Sequence, residues 1–501
     1  MVALKFVQES ELSAMNGAGA MAGSGLQMAV AAGLLALIAL ATWLKVRGAG
    51  HDGSEKDVFL AGGGLSWLFV AGSITLTNLS TDQLVGMNGN QMLLLAWWEI
   101  SGFVGLLILA FIFVPIYYRN NCTTVTELLD RRYSGDTTSV RTLISALFLF
   151  GNILIYLPAG LYSGGLFLRA LFGGEVPLIA YAAMIAIISA AYTMLGGLRA
   201  VAVMDTYSGF GVLAIAVLIV LLALAAINWD FSGIPPERLT FFGGADSPIP
   251  FHTLFTGMIF IQIFYWSTNQ NITQKAMTAP TVREAQKGVL AAAVVRILII
   301  PVIVTVPGVV AFKLLGNVGD SAYGLLVAKI LPPWLSGAFA AMIAAAVIAH
   351  TAAVLNSTVA LYAVDFHERF VGRVRDHWRL SAIVTVVVMI SSIALVPLYE
   401  NATSIINLLQ QLNGLSSMPI LSAFVVGLMF RGVSGHAATA GVVWGVALYG
   451  LFTFVLQPRG VVTLHYIDFM VVTLASSVAA ALIVNRLSGG RASLINRAQR
   501  A

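Results

Sequence analysis

The chain has a single cysteine, Cys122, among 501 residues, which excludes an intrachain disulfide and a cysteine-built metal cluster. Charge is scarce too. Only 10% of residues are charged, where soluble proteins carry about 25%, so a water-facing surface cannot be covered. The sequence also holds no P-loop, no HExxH and no Cys/His cluster, which disfavours ATP-driven work or zinc chemistry by this chain. It reads as a non-enzyme without a cofactor. What abounds is apolar: 58% hydrophobic residues and a mean hydropathy of +0.89. Runs such as 202–227 are too long and unbroken for barrel strands, which alternate over about ten residues. The fold class is therefore an all-α integral membrane protein. The net charge of +5 points to cytoplasmic loops rather than to nucleic acid.

Residues 1–26 lack a basic stretch followed by an apolar core and read as an external tail rather than a signal peptide. Apolar runs follow at about 27–45, 65–87, 91–117, 141–170, 175–196, 202–227, 251–271, 288–314, 332–363, 380–399, 402–430, 437–456 and 462–485, thirteen expected spans. With the N-terminus outside, 20 Lys and Arg fall inside and 6 outside. That asymmetry predicts N-terminus out and C-terminus in, in the plasma membrane.

Two spans carry polar interruptions, GSITLTNLSTDQLVG at 72–86 and QIFYWSTNQNITQ at 262–274. Backbone that leaves helical pairing at membrane depth is tolerated where it lines a cavity. A pair of interrupted helices at corresponding places in two halves points to a transporter's binding site. Spans 2–6 and 7–11 form two five-helix repeats of opposite topology on this reading. The divisions are a tail at 1–26, a peripheral helix and loop at 27–62, the first repeat at 63–227, an external loop at 228–250 and the second repeat at 251–430. Peripheral helices at 431–486 and a basic tail at 487–501 complete the chain.

Charges within spans are expensive and so are functional candidates: Asp82, Glu99, Asp205, Arg296 and His350. Glu99 in AWWEISGF stands beside Trp97 and Trp98. A carboxylate beside flat rings suits a sugar; the alternative is a structural ion pair with Arg296. Gln83, Gln262, Asn269 and Gln410 donate and accept at once, as sugar contacts or as interhelical glue. His350, in AAMIAAAVIAHTAAVLNST, is either a packed core residue or a proton carrier. Asp365 reads as a cytoplasmic helix-end charge, and the basic tail as a positive-inside signal or a contact with anionic lipid.

The segments TNLSTDQLVGMNG (77–89), TVTELLDRRYSG (124–135), YTMLGGLRAVAVMD (192–205), FYWSTNQNITQKAMTAPTVREAQKG (264–288), LNSTVALYAVDF (355–366) and QQLNGLSSMP (410–419) run in one order over most of the chain. In them the sequence resembles the sodium/solute symporter family, and within it the bacterial sodium/glucose-cotransporter-like members. The resemblance implies a 5+5 inverted-repeat core with broken first and sixth core helices, working by alternating access. It implies substrate contacts at Gln83, Glu99, Gln262, Arg296 and Gln410, with Trp98 and Met87 in the same pocket and Tyr265 as an aromatic gate. It implies a sodium site built from carbonyls of Leu76, Leu79 and Ala346 and from two hydroxyl side chains, with Asp205 on the cytoplasmic ion path.

The chain departs from that pattern in its own residues. Arg296 stands where lysine is usual, and Gly102 near an expected serine. Ala349 and His350 occupy the two hydroxyl positions, and neither supplies the hard oxygen a small cation prefers. The expected activity is import of a sugar or sugar-like solute, coupled to sodium or, through His350, to protons. A non-coupled facilitator, a transporter-like sensor and a symporter of another small polar solute are the alternatives.

Overall fold

The computed structural model describes residues 25–47, 60–79, 81–133, 135–172, 176–400 and 405–495. The proposed external tail, the loop around Lys56 and the end of the basic tail lie outside them, as does the side chain of Asp82. The described chain is helical almost throughout. Its one strand pair is Phe430–Arg431 against Ser493–Leu494, which folds the start of the basic tail onto the end of the helix at Ile405–Met429.

In chain order the membrane helices are α1 (Gly25–Val46), α2 (Trp67–Asn78), α3 (Thr81–Gly89) and α4 (Leu93–Asn120). A short loop helix, α5 (Glu127–Arg132), precedes α6 (Thr138–Phe172), α7 (Leu178–Met194) and α8 (Leu198–Ala226). The second half runs through α9 (Gly257–Ser267), α10 (Gln270–Ala276), α11 (Val282–Leu315), α12 (Pro333–Val371), α13 (His377–Tyr399) and α14 (Ile405–Met429). Two further helices, α15 (Gly435–Leu456) and α16 (Tyr466–Leu487), close the chain. Ten of these are long and apolar enough to cross a membrane. The expected spans at 65–87 and 251–271 are cut into shorter helices, whereas α7 runs on into α8 as one continuous helical stretch, Leu178–Ala226.

Both polar interruptions are true breaks. The first falls between Asn78 and Thr81, where Leu79 leaves helical geometry. The second falls at Thr268–Asn269, and there the Asn269 side chain caps α10 by accepting from the Asn271 amide at 2.9 Å. That bond satisfies one of the amides a helix start leaves unpaired. The central element is α12, 89% of whose apolar window is buried. Its run of alanines lets neighbouring helices approach closely.

Asp365 is not a helix-end charge. It lies on a π-helical segment, Tyr362–Val371, with its side chain wholly buried. Arg141 of α6 donates to it through Nε at 2.6 Å and pairs with it through a second nitrogen at 2.5 Å. Thr126 donates at 2.5 Å and Ser145 also donates, while Arg141 pairs in turn with Asp130 of α5. Gln270, the first residue of α10, accepts from the Val125 amide at 2.8 Å. One network therefore ties the 123–132 loop to α6, to the end of α12 and to the second broken helix. At the opposite ends of the helices, Asp320 accepts from the first described amide of α14, that of Ile405, at 3.1 Å. Burial outside the membrane-spanning segments raises its pKa to about 6.

Removing one partner of a buried ion pair strands the other charge, at about 3–5 kcal/mol. Arg141→Ala should lower the thermal unfolding temperature of the detergent-purified protein by a large margin. Lys287→Ala, which breaks the exposed pair with Glu284, should cost less than about 1 kcal/mol. Equal effects of the two substitutions would remove the clamp assigned to Asp365.

Candidate functional site

The helix breaks open one cavity of about 70 Å³ in the core. Gln83, Trp98, Glu99, Gln262, Tyr265, Arg296 and Gln410 all line it, although they come from five separate helices. His350 lines the same cavity. Met87 does not reach the wall; it is fully buried in the packing of α3. Among the lining residues not expected from the sequence are Tyr156, Trp266 and Asn413. The Tyr156 hydroxyl donates to Asn413 Oδ1 at 2.5 Å, and Asn413 Nδ2 donates to Gln410 Oε1 at 3.3 Å. Tyr156 ends a π-helical turn, Asn152–Tyr156, a geometry frequent at functional sites. No pattern in an apolar run announces such a turn. Asn413, by contrast, sits inside the QQLNGLSSMP motif and was legible there.

Glu99 and Arg296 form an ion pair, with side chains 0% and 3% exposed. Gln83 Nε2 donates to the other Glu99 oxygen at 2.7 Å. The structural reading of Glu99 and its place on the cavity wall thus both hold, since the pair is part of the wall. Arg296 is braced from behind, its guanidinium carbon 4.3 Å from the Trp266 ring centroid, a cation–π contact. Trp266 Nε1 donates to Gln262 Oε1 at 2.9 Å, and Gln262 Nε2 donates to the Trp98 carbonyl at 2.7 Å and Ser101 Oγ at 3.0 Å. This chain of bonds fixes the polar wall before any solute arrives. Gly102 makes it possible. A Cβ at that position would lie 3.0 Å from Arg296 Nε and 3.0 Å from Trp266 Nε1. Arginine at 296 and glycine at 102 therefore fit one another: the guanidinium fork occupies space that a side chain at 102 would crowd.

The positions implied for an ion are less well furnished. Ala346 and Ala349 are buried without a side-chain oxygen, and His350 faces the solute cavity. Thr351, one position on, is buried with its hydroxyl making no hydrogen bond. Leu76 and Leu79 flank the α2–α3 break, so their carbonyls lie where helical pairing fails. Asp205 is fully buried and carries a partner the sequence reading did not name, Lys275 of α10, at 2.6 Å. The side-chain set therefore lacks the hydroxyl pair that a hard cation takes.

A helical membrane protein whose two interrupted helices enclose a polar cavity is a secondary transporter by construction. The family model of the sodium:solute symporter family matches residues 58–446, and this chain belongs to that family of sodium-coupled membrane transporters. It is 31% identical to the Escherichia coli protein "Uncharacterized symporter YidK", over 92% of this chain and 84% of that protein. It is 26% identical to the Vibrio parahaemolyticus sodium/glucose cotransporter, over 88% of this chain and 87% of that one. The mouse sodium/myo-inositol cotransporter 2 is also 26% identical, over 85% of this chain and 70% of its own length. Among solved structures, a Na+-coupled sialic acid symporter in its substrate-bound outward-open state superposes with a TM-score of 0.78. It is 18% identical, over 94% of this chain and 99% of that chain, so the likeness is one of fold. Mhp1, a nucleobase-cation-symport-1 family transporter, shares the fold more distantly, at a TM-score of 0.53, 16% identity, and 85% and 92% coverage. The chain is a transporter and not an enzyme.

The fit between Gly102 and Arg296 is open to test. A serine at 102 overpacks the pair, at about 1–3 kcal/mol, and should lower the unfolding temperature. In an Arg296→Ala background, which removes the crowded Nε and Cδ, the same serine should cost markedly less, since touching residues do not act additively. Additive losses in the double variant would show that the two positions are independent.

Proposed function

We propose that this chain imports a neutral polyhydroxylated solute, a sugar or polyol, by alternating access in symport with a cation. The observation that carries the reading is the composition of the core cavity. Amides at Gln83, Gln262, Gln410 and Asn413 donate and accept, and the rings of Trp98, Trp266 and Tyr265 offer flat faces. The Glu99 carboxylate is present but neutralised by Arg296. A bare ion or a charged metabolite would meet no net opposite charge from that pair, whereas hydroxyl groups find partners on every side. An acidic sugar, suggested by Arg296 in isolation, is disfavoured because the guanidinium already has its counter-ion. Two relatives, a sodium/glucose cotransporter and a sodium/myo-inositol cotransporter, support the same class. On this reading Tyr265 closes over the solute as the inner gate, and the excess of cytoplasmic basic residues orients the N-terminus outside.

Sodium is the family's coupling ion, and the unpartnered Thr351 hydroxyl supports a rearranged sodium site beside Ala346 and Ala349. Proton coupling through His350 is the second reading, favoured because its ring shares the cavity wall with the solute contacts. Uptake into proteoliposomes under separately imposed sodium and pH gradients distinguishes them. Accumulation that follows sodium and ignores pH overturns the proton route, as does a His350→Ala protein that still concentrates solute on a pH gradient. A protein that binds solute without accumulating it would be a sensor rather than a symporter.

Gln410→Ala is the clean probe of the solute site, because Glu99→Ala would also strand Arg296. Losing a buried hydrogen-bond partner costs about 1–3 kcal/mol, so uptake affinity should weaken by roughly tenfold or more. A panel of neutral sugars, polyols and acidic sugars, read by thermal stabilisation of the purified protein, should select neutral members. Stabilisation by acidic sugars alone would overturn the substrate class.

A further inference from the structure

The strongest unexplained group is Lys275. It is among the largest fully buried side chains of the molecule, 1% exposed, yet it lies outside the solute cavity. Its Nζ stands 2.6 Å from Asp205 Oδ2 and 3.3 Å from the Ser73 carbonyl oxygen. The Ser73 hydroxyl donates to the same carboxylate oxygen at 2.9 Å. Three helices meet at this point: α2, from the first broken helix, α8, and α10, from the second. Their approach is close by design of sequence. A Cβ on Gly72 would sit 2.7 Å from the hydroxyl of Thr206, the neighbour of Asp205.

A carboxylate oxygen and a backbone carbonyl are the donors that a hard cation collects. Here they face an ammonium, which has three hydrogens to give and no lone pair. We propose that Lys275 is a tethered cation: at Asp205 its ammonium takes the place of a mobile coupling ion and pins both broken helices to α8 without waiting for one. A covalently held cation sacrifices none of the translational freedom that a free ion loses on binding, and its local concentration is set by the chain. A mobile sodium at the same carboxylate would meet the ammonium's like charge in a poorly screened interior. The ion path that the family resemblance runs through Asp205 is thus closed by this chain's own side chain. The inference stands on this geometry and does not depend on which solute is carried.

The test uses the full-length protein in detergent, with sodium exchanged for choline at constant ionic strength. Lys275→Ala leaves the Asp205 carboxylate without its cation. Its unfolding temperature should fall by several degrees in choline and recover saturably with sodium, by more than any sodium response of the wild type. A double variant, Lys275→Met with Asp205→Asn, removes both charges and should show no such gain. A Lys275→Ala protein with the wild-type sodium response overturns the proposal. If Lys275→Ala does not fold, the double variant decides the pinning role through Cys122, the sole cysteine, which is buried and lines a pocket shared with Met277 and Ala279 just beyond α10. Loss of the pin should speed its alkylation by a maleimide several-fold. Unchanged alkylation, or a double variant that cannot fold although it buries no charge, overturns the tethered-cation role.

Discussion

A charge withdrawn from water inside a membrane protein must meet its opposite, and that requirement organises this chain at three places. Arg141 meets Asp365 beside the 123–132 loop, Lys275 meets Asp205 beside the first broken helix, and Arg296 meets Glu99 in the wall of the cavity. Each pair joins elements far apart in sequence. An isolated buried charge would be costly, so each helix is held in the one arrangement that brings its partner within reach. A pair need not add net stability to do this. It makes the alternatives worse.

The two helix breaks create the space these pairs surround. Where Leu79 and Thr268 leave helical geometry, backbone groups lose their partners and are tolerable only beside a cavity or a cap. Asn269 supplies the cap at one break. The cavity then gathers amides, rings and one neutral ion pair from helices on both sides. Its polar wall is bonded into place through Trp266, Gln262 and Ser101, so little ordering is left for a solute to impose. Alternating access in such a fold is rocking of packed helices about a fixed site, which needs the site rigid and its closures breakable.

Several departures from the family pattern prove to be connected in space. The arginine at 296 fits because 102 is glycine. His350, at one of the positions where the resemblance implies a hydroxyl, lines the core cavity, and Asp205, which the resemblance places on an ion path, is paired with the Lys275 ammonium. Taken singly, each substitution looks like a loss. Together they describe a transporter whose polar and ionic contacts have been redistributed among its own side chains.

Hydropathy and charge count were enough to establish a multi-helix membrane protein, because both are sums over the local chain and need no partner. The two broken helices were legible for the same reason: a run such as STDQ or STNQ is out of place in a span wherever the span lies. The motif at 410–419 likewise contained Asn413, although its role was missed. Which charge faces which was not legible. Glu99 had two readings until Arg296 was seen against it, Asp365 was read as a helix-end charge until Arg141 and Ser145 enclosed it, and Lys275 drew no notice inside a motif that otherwise announced the family. Met87 and Tyr156 exchanged places with respect to the cavity because a helix's rotation and a π-helical turn decide which side chains face inward. Periodicity and composition are properties of a segment, whereas the choice of a buried partner is a property of the packed whole, and only the tertiary structure decided it.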